Sequence, residues 1–146
     1  MVEAKPLTMK DVIDHYPDRR LDALSLSFDE FKRTVVFFDI MGKTCSFWAG
    51  DKLLGIGGVF HLNKGCGQVW LSMSDEVKKH AKGFTVCGIK MLDEHNKIFH
   101  RIQTDMPAKN ISWIRWMKKL GFKQETKMTC YYGDKSDAVL LVRIRA

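Results

Sequence analysis

The chain has 146 residues, of which 45% are hydrophobic and 28% charged, and its formal net charge is +7. This length predicts a single domain over residues 1–146, and the composition excludes disordered and fibrous proteins. No apolar run is long enough to cross a bilayer about 30 Å thick, and the first residues carry no secretory signal. We therefore expect a cytoplasmic protein with no membrane partner.

The excess of positive charge favours an anionic partner, and a polyphosphate cofactor or nucleic acid would both fit. Nucleic acid is the less favoured partner, because the basic residues form separate islands without a nucleic-acid-binding motif. The four cysteines are widely spaced and form no Cys-x-x-Cys pair. This spacing predicts reduced thiols and no metal site.

The first half of the chain predicts two small helices followed by an antiparallel meander. Thr8 is placed to cap a helix over residues 9–15, and Ser27 with Glu30 has capping-box spacing for a helix over residues 28–32. Runs rich in β-branched and aromatic residues then predict four strands separated by turns that contain glycine. These strands cover residues 35–40, 44–49, 53–60 and 68–73, and the longer turn, at 63–65, is expected to carry a bulge.

The second half changes to a helical period after Ser74. Its acidic helix start, at residues 75–76, suits the positive end of a helix dipole, and Gly83 is expected to interrupt the segment. Apolar residues at helical spacing over 84–95 predict the central helix, with Gly88 allowing a close approach to the sheet. Further predicted elements are a buried strand over 98–104, a helix over 111–120 that Asn110 caps and Gly121 ends, and a hairpin of strands 127–132 and 138–144.

Two sequence clusters have a family resemblance. Residues 53–59, Leu-Leu-Gly-Ile-Gly-Gly-Val, resemble the third strand of the GCN5-related N-acetyltransferases (GNAT). Residues 110–122 resemble that family's closing motif, which is an asparagine, an amphipathic helix and a Leu-Gly-Phe ending. The order of the predicted elements also resembles that of the family over nearly the whole chain. The resemblance implies an α/β (α+β) GNAT fold, with a mixed, mostly antiparallel sheet of six to seven strands and about four helices.

The same resemblance implies acetyl-coenzyme A as the cofactor. In the family, a Gln/Arg-x-x-Gly-x-Gly/Ala loop cradles pyrophosphate on backbone amides. The nearest match here is residues 80–85, where only Gly83 agrees with the pattern. Lys78, Lys79 and Lys82 either neutralise phosphates or are ordinary helix surface. The implied cofactor-binding residues, including the strand that would hold the pantetheine arm, are Leu71, Ser72, Met73, His80, Lys82, Gly83, Phe84, Thr85 and Asn110.

The catalytic roles implied by the resemblance are a base for the amine and an acid for the leaving thiolate. Glu76 is a candidate base because it follows the fourth strand. Met117 stands where the family commonly has its tyrosine acid, and methionine cannot donate a proton. Tyr131 (or its neighbour) and Ser112 are candidate substitutes; alternatively, the fold no longer catalyses a reaction. The four tryptophans either line an acceptor groove or anchor the core.

A narrower resemblance rests on the Asn-x-Ser-x-Ile-Arg-aromatic run at 110–116 and the Ser-Asp-x-Val run at 74–77. Both are similar to segments of the acetyltransferase-like internal virion proteins of short-tailed phages. The leading hypothesis is an acetyl-coenzyme A-dependent N-acetyltransferase, encoded by a phage, that modifies an amine of a protein or small molecule. The alternative is an inactive internal virion or host-interaction protein with virion or host proteins as partners.

Overall fold

The structure is a computed structural model that describes residues 1–19 and 26–145. The described residues form seven strands and four α-helices in chain order, together with 3-10 helices at Tyr16–Asp18 and Asp75–His80. The strands are β1 (Val2–Pro6), β2 (Gly42–Ala49), β3 (Lys52–Asn63), β4 (Cys66–Met73), β5 (Arg101–Pro107), β6 (Lys123–Met128) and β7 (Ala138–Ile144). The helices are α1 (Met9–His15), α2 (Phe28–Met41), α3 (Ala81–Asn96) and α4 (Ile111–Lys119).

All seven strands belong to one sheet in the order β1-β2-β3-β4-β5-β7-β6. Every neighbouring pair is antiparallel except β4 and β5, which are parallel. The predicted mixed, mostly antiparallel sheet of six to seven strands is therefore confirmed, as is the predicted number of helices.

The parallel pair is the feature of the sheet that creates a site. β4 and β5 are in register only where residues 66–68 face residues 101–103. Beyond that point the described residues of the two strands no longer pair, and one side-chain hydrogen bond, from Thr104 Oγ1 to the Val69 carbonyl at 3.0 Å, marks where they part. The carboxyl-terminal half of β4 and that of β5 diverge as the two arms of a V.

Helices cover both faces of the sheet. On one face, α1 and α2 bury Val12, Phe31 and Val35 against Ile56 of β3. On the other face, α3 and α4 pack on a larger core whose members include Leu92, Ile114, Met117, Ile102 and Leu141. Because successive strand residues point to opposite faces, β4 contributes Val69 to one core and Trp70 to the other.

The predicted strand over 35–40 is wrong, and so is the expectation that a helix opens the fold. Residues 35–40 belong to α2, which runs to Met41, and β1 precedes α1. Phe31, Val35 and Phe38 lie at helical spacing and face the sheet, while Phe37 and Ile40 are exposed on the outer side. The Ser27 cap and this one-sided burial outweigh the strand propensity of the segment.

Three boundaries in the second half also differ from the predictions. Gly83 does not interrupt a helix, since it lies in the first turn of α3. β5 begins at Arg101 rather than at 98, because residues 97–100 form the turn that leaves α3. β6 covers Lys123–Met128 rather than 127–132, and the tyrosines predicted within it lie in the β6–β7 loop.

Other local predictions are confirmed. Thr8 caps α1 in a capping box with Asp11, and Ser27 Oγ accepts a hydrogen bond from the Glu30 amide. The β3 register shifts beside the longer turn, as a bulge requires, and Gly121 has a φ of 96° just after α4. The prediction that Asn110 caps α4 is wrong for the side chain, since Asn110 is the residue before the helix but its side chain makes no capping hydrogen bond. None of the described helices is long and apolar enough to cross a membrane.

Candidate active site

A cleft of about 1010 Å³ opens where β4 and β5 diverge. One wall is formed by α2 and the ends of β3 and β4, and the opposite wall by β5, the start of α4 and the β6–β7 loop. Met117 of α4 lies at its base and is almost completely buried. The volume is at the upper end of the range of small-molecule sites, so the cleft can hold a cofactor arm together with an acceptor.

Asp105 of β5 carries the carboxylate on the far wall of this cleft. Its Oδ2 accepts a hydrogen bond from the Tyr132 hydroxyl at 3.0 Å, and its Oδ1 lies 3.5 Å from Gln68 Nε2. Among the described residues, no lysine, arginine or histidine nitrogen forms an ion pair with it. The carboxylate is therefore held in position by neutral donors and can receive a cation or a proton.

Two tyrosines of the β6–β7 loop stand beside this carboxylate. Burial, together with the charge of Asp105, raises the pKa of Tyr132, whose proton is held in the hydrogen bond to that carboxylate. The charge of Asp105 also raises the pKa of Tyr131, which is half exposed on the cleft. Both hydroxyls are therefore protonated at neutral pH, and Tyr131 is the one that can give its proton to another group.

A serine–histidine pair, of which the histidine is buried, lies on the β4 arm of the V. Ser72 lines the cleft, and its Oγ is 2.9 Å from Nε2 of His15 at the end of α1. Burial lowers the pKa of His15 to about 4, so the imidazole is neutral at physiological pH. The pair fixes α1 to the strand at the point where it turns away from β5.

The cleft brings together only some of the residues implied to bind a cofactor. Leu71, Ser72, Met73 and Asn110 line it. His80, Lys82, Gly83, Phe84 and Thr85 are not among its lining residues, and they lie at the start of α3. The helix start instead presents the exposed side chain of Lys82 and the half-buried His80.

The residues at the beginning of α3 pack against β1 and α4. A Cβ added to Gly83 would lie 3.0 Å from a side-chain carbon of Val2 in β1. Phe84 is buried and stacks on Trp116 of α4 with ring centroids 5.0 Å apart. The indole of that tryptophan also donates a hydrogen bond to Thr85 Oγ1 at 2.8 Å. Gly83 therefore has a packing role in addition to any contact with phosphate.

The other two predicted catalytic residues lie outside the cleft. Glu76 is in the 3-10 helix that follows β4, where a hydrogen bond with Lys79 and the charge of Lys52 lower its pKa. Ser112 is exposed on α4 and is not among the residues that line the cleft. Of the catalytic candidates, Tyr131 alone lines the cleft in the described part of the chain.

The wall opposite Asp105 is aromatic. Phe38 of α2 stacks on Phe60 of β3 with centroids 4.6 Å apart and an interplanar angle of 7°. Trp70 of β4 lies 5.0 Å from the Phe38 ring, and its buried Nε1 has no hydrogen-bond partner among the described residues. This tryptophan lines the cleft, whereas Trp116 packs between α3 and α4.

Asp105 and His15 are the two residues of this site that the sequence did not single out. A polar residue in the interior of a strand is a usable signal, and Asp105 has it, since it alternates with the buried Thr104 and the partly buried Met106. His15 gives no local signal, because its partner Ser72 is 57 residues away. Within the described chain, no group of three or more metal-binding side chains accompanies them.

Solved structures match nearly the entire chain. An Escherichia coli ribosomal-protein-S18-alanine N-acetyltransferase is 14% identical with a TM-score of 0.76, over 99% of this chain and 94% of that one. A Vibrio cholerae spermidine N-acetyltransferase bound to coenzyme A and spermine is 17% identical with a TM-score of 0.76, over 98% and 95%. A Bacillus subtilis acetyltransferase bound to coenzyme A is 16% identical with a TM-score of 0.75, over 99% and 98%.

No protein-family model matches this chain, and no curated protein matches it. The similarity to the solved structures is therefore a similarity of three-dimensional architecture at 14–17% identity. It extends over 98–99% of this chain, and so over the seven-stranded sheet and the four helices described above. The chain has the fold of the GCN5-related N-acetyltransferases.

Proposed function

We propose that the protein is an acetyl-coenzyme A-dependent N-acetyltransferase whose acceptor amine binds between Asp105 and the aromatic wall. The observation that carries this proposal is the open V between β4 and β5, which leads to a carboxylate that has no cationic partner among the described residues. Two of the structurally similar acetyltransferases contain coenzyme A, which supports the same cofactor here. The backbone of residues 71–73 and the side chain of Asn110 would hold its arm.

The chemistry requires one group to accept a proton and another to donate one. The cofactor supplies an acetyl thioester, so that the amine nitrogen gains a bond to the acetyl carbon as the carbon–sulfur bond breaks. Asp105 accepts the proton that the amine loses. Tyr131 gives its hydroxyl proton to the departing sulfur, a role that Met117 cannot fill. Tyr132 keeps the Asp105 carboxylate in its orientation throughout.

The test is a thiol-release assay on the wild-type protein and on Asp105→Asn, with a panel of amines. We expect kcat/KM to fall about 10²- to 10⁴-fold in the variant, because general base catalysis is lost. The affinity for acetyl-coenzyme A, measured by calorimetry, should be unchanged, since Asp105 lies on the acceptor side. Full activity of Asp105→Asn would contradict the assignment.

A second candidate function is a noncatalytic internal virion or host-interaction protein of a phage. The observation that favours it is the packed start of α3, where Phe84 is buried and Gly83 lies against β1. The buried Met117 at the usual acid position points the same way. Absence of both acetyl-coenzyme A binding and thiol release, together with stoichiometric presence in phage particles, would select this candidate.

A further inference from the structure

We propose that the acceptor is a monocationic amine with an apolar or aromatic group next to the amine, and that polyamines are poor substrates. This inference rests on the proposed function and specifies its substrate class. It depends on the two walls of the cleft, which differ sharply in chemistry: one offers a single carboxylate, and the other offers stacked aromatic rings.

The charge of the cleft fits one ammonium group. Its described lining includes two carboxylates, Asp105 and Asp134, and one cation, Lys109. Hydrogen bonds from Ser136, and to a lesser extent the charge of Lys109, lower the pKa of Asp134, which is exposed at the cleft mouth. Ser136 holds Asp134 and Tyr132 holds Asp105, both as neutral donors, so with Lys109 the described lining has a net charge of −1, which balances one ammonium group.

A polyamine requires a different surface. It carries several ammonium groups along a flexible chain, and each of them needs an opposite charge to offset its desolvation. The net charge of −1 on the described lining balances one ammonium group, and Lys109 would repel the remaining charges. The cleft therefore selects against multiple charge.

The aromatic wall gives the second part of the specificity. Phe38, Phe60 and Trp70 are each only partly buried, and their rings lie on the cleft, where an apolar group would cover them. Leu62 extends the same wall and is 48% exposed. An aromatic group stacked there gains area burial and ring contacts that a bare amine lacks.

Two sources of this chemistry are a free aralkylamine and the amino terminus of a polypeptide that begins with an aromatic residue. The indole N–H of Trp70 distinguishes them, because it is buried without an acceptor in the described part of the chain and a buried donor gains from acquiring one. A peptide brings a carbonyl oxygen close to its α-amine, whereas an aralkylamine brings no acceptor. If the acceptor is a polypeptide, Trp70→Phe should therefore lower kcat/KM. If the acceptor is an aralkylamine, the same substitution should leave kcat/KM unchanged.

The experiment compares kcat/KM for the tripeptides Phe-Gly-Gly and Gly-Gly-Gly, phenethylamine and spermine on the wild-type protein. We expect one or both of the aromatic probes to exceed Gly-Gly-Gly and spermine by about tenfold or more. Phe38→Ala should lower kcat/KM for the aromatic probes by about tenfold, and Phe60→Leu is a milder second variant with the same expected direction. An unchanged far-UV circular dichroism spectrum and an unchanged affinity for acetyl-coenzyme A verify that both variants fold.

Equal or faster turnover of spermine or Gly-Gly-Gly would overturn the inference while leaving the proposed function standing. Acetyl-coenzyme A binding is measured in parallel by calorimetry, so failure of the proposed function is recognised separately as absence of binding. If Trp70→Phe lowers only the Phe-Gly-Gly value, the source is a polypeptide. If phenethylamine matches Phe-Gly-Gly and Trp70→Phe affects neither, the source is a free amine.

Discussion

His15 connects the stability of the protein to pH. It is buried against Ser72, and burial lowers its pKa from 6.5 to about 4. The unfolded chain therefore binds a proton below about pH 6.5 that the folded chain does not bind until about pH 4. Folding becomes less favourable as the pH falls through this window, by up to about 3 kcal/mol.

We predict that His15→Gln flattens the decline in the free energy of unfolding between about pH 6.5 and about pH 4, because glutamine does not titrate. Urea denaturation at a series of pH values measures this. Ser72→Ala is the matched control: it removes the hydrogen bond but leaves the imidazole buried, so its pH dependence should stay like that of the wild type. An unaltered slope in His15→Gln would show that other groups cause the acid sensitivity.

Tyr131 is the residue to which the proposal gives the acid role left open by Met117. Replacing it with phenylalanine removes the proton donor and keeps the ring on the cleft. We predict that Tyr131→Phe lowers kcat about 10²-fold, with acetyl-coenzyme A affinity unchanged. Steady-state kinetics check this. If kcat is retained, water protonates the thiolate and the tyrosine has no role as acid.

At the scale of elements, the glycines of β3 show how the sheet is packed. A Cβ at Gly58 would lie 2.1 Å from the Lys43 carbonyl oxygen of β2, and one at Gly57 would lie 2.7 Å from the Trp70 carbonyl oxygen of β4. These are backbone atoms that cannot move aside cheaply. Glycines are thus needed in residues 53–59 because the backbones of both neighbouring strands, β2 and β4, leave no room for a side chain.

We predict that Gly58→Ala lowers the free energy of unfolding by about 1–3 kcal/mol, because the neighbouring strand must shift. Gly133 in the β6–β7 loop is the matched control, since a Cβ there meets nothing within 4 Å. Gly133→Ala should change stability by no more than about 0.5 kcal/mol. Thermal or urea unfolding measures both, and equal stability of the two variants would contradict this account of the packing.

Elements with their own start and stop signals could be predicted from the sequence. α1 has its Thr8 cap, α4 has Gly121 in the left-handed conformation, and β7 is an apolar run with clear ends. The polar edge strand β6 could not be predicted, because none of its six residues is buried. Its sequence therefore lacks the alternation of buried and exposed residues that marks a strand. The strand predicted over the second half of α2 is wrong, because only the packing on Ile56 reveals which face of this segment is buried.

The site was predictable only where its residues are adjacent in the chain. The β4 residues 71–73 and Asn110 follow from the family resemblance and line the cleft. Asp105 and His15 contact Tyr132 and Ser72, which are 27 and 57 residues away, so a local pattern can mark Asp105 as a polar residue within a strand but cannot identify either partner. The residues expected to form a cofactor loop are instead helical, because the 3-10 helix runs directly into α3.

For the whole molecule, the net charge and the charge inside the cleft have opposite signs. The net charge of +7 favours an anionic ligand such as a polyphosphate, while the acceptor side of the cleft presents the Asp105 carboxylate. The two substrates of an N-acetyltransferase differ in the same way, since one is an anion and the other a cation. The V between β4 and β5 is where the two would meet.

The most direct test of the central claim is backbone hydrogen exchange with and without acetyl-coenzyme A. We predict slower exchange in residues 69–73 of β4 and 104–106 of β5, because a bound arm would shield or pair the amides exposed by their divergence. The β1–β2 pair, far from the V, should exchange at the same rate in both conditions. Unchanged exchange in both arms of the V at saturating acetyl-coenzyme A would contradict the account.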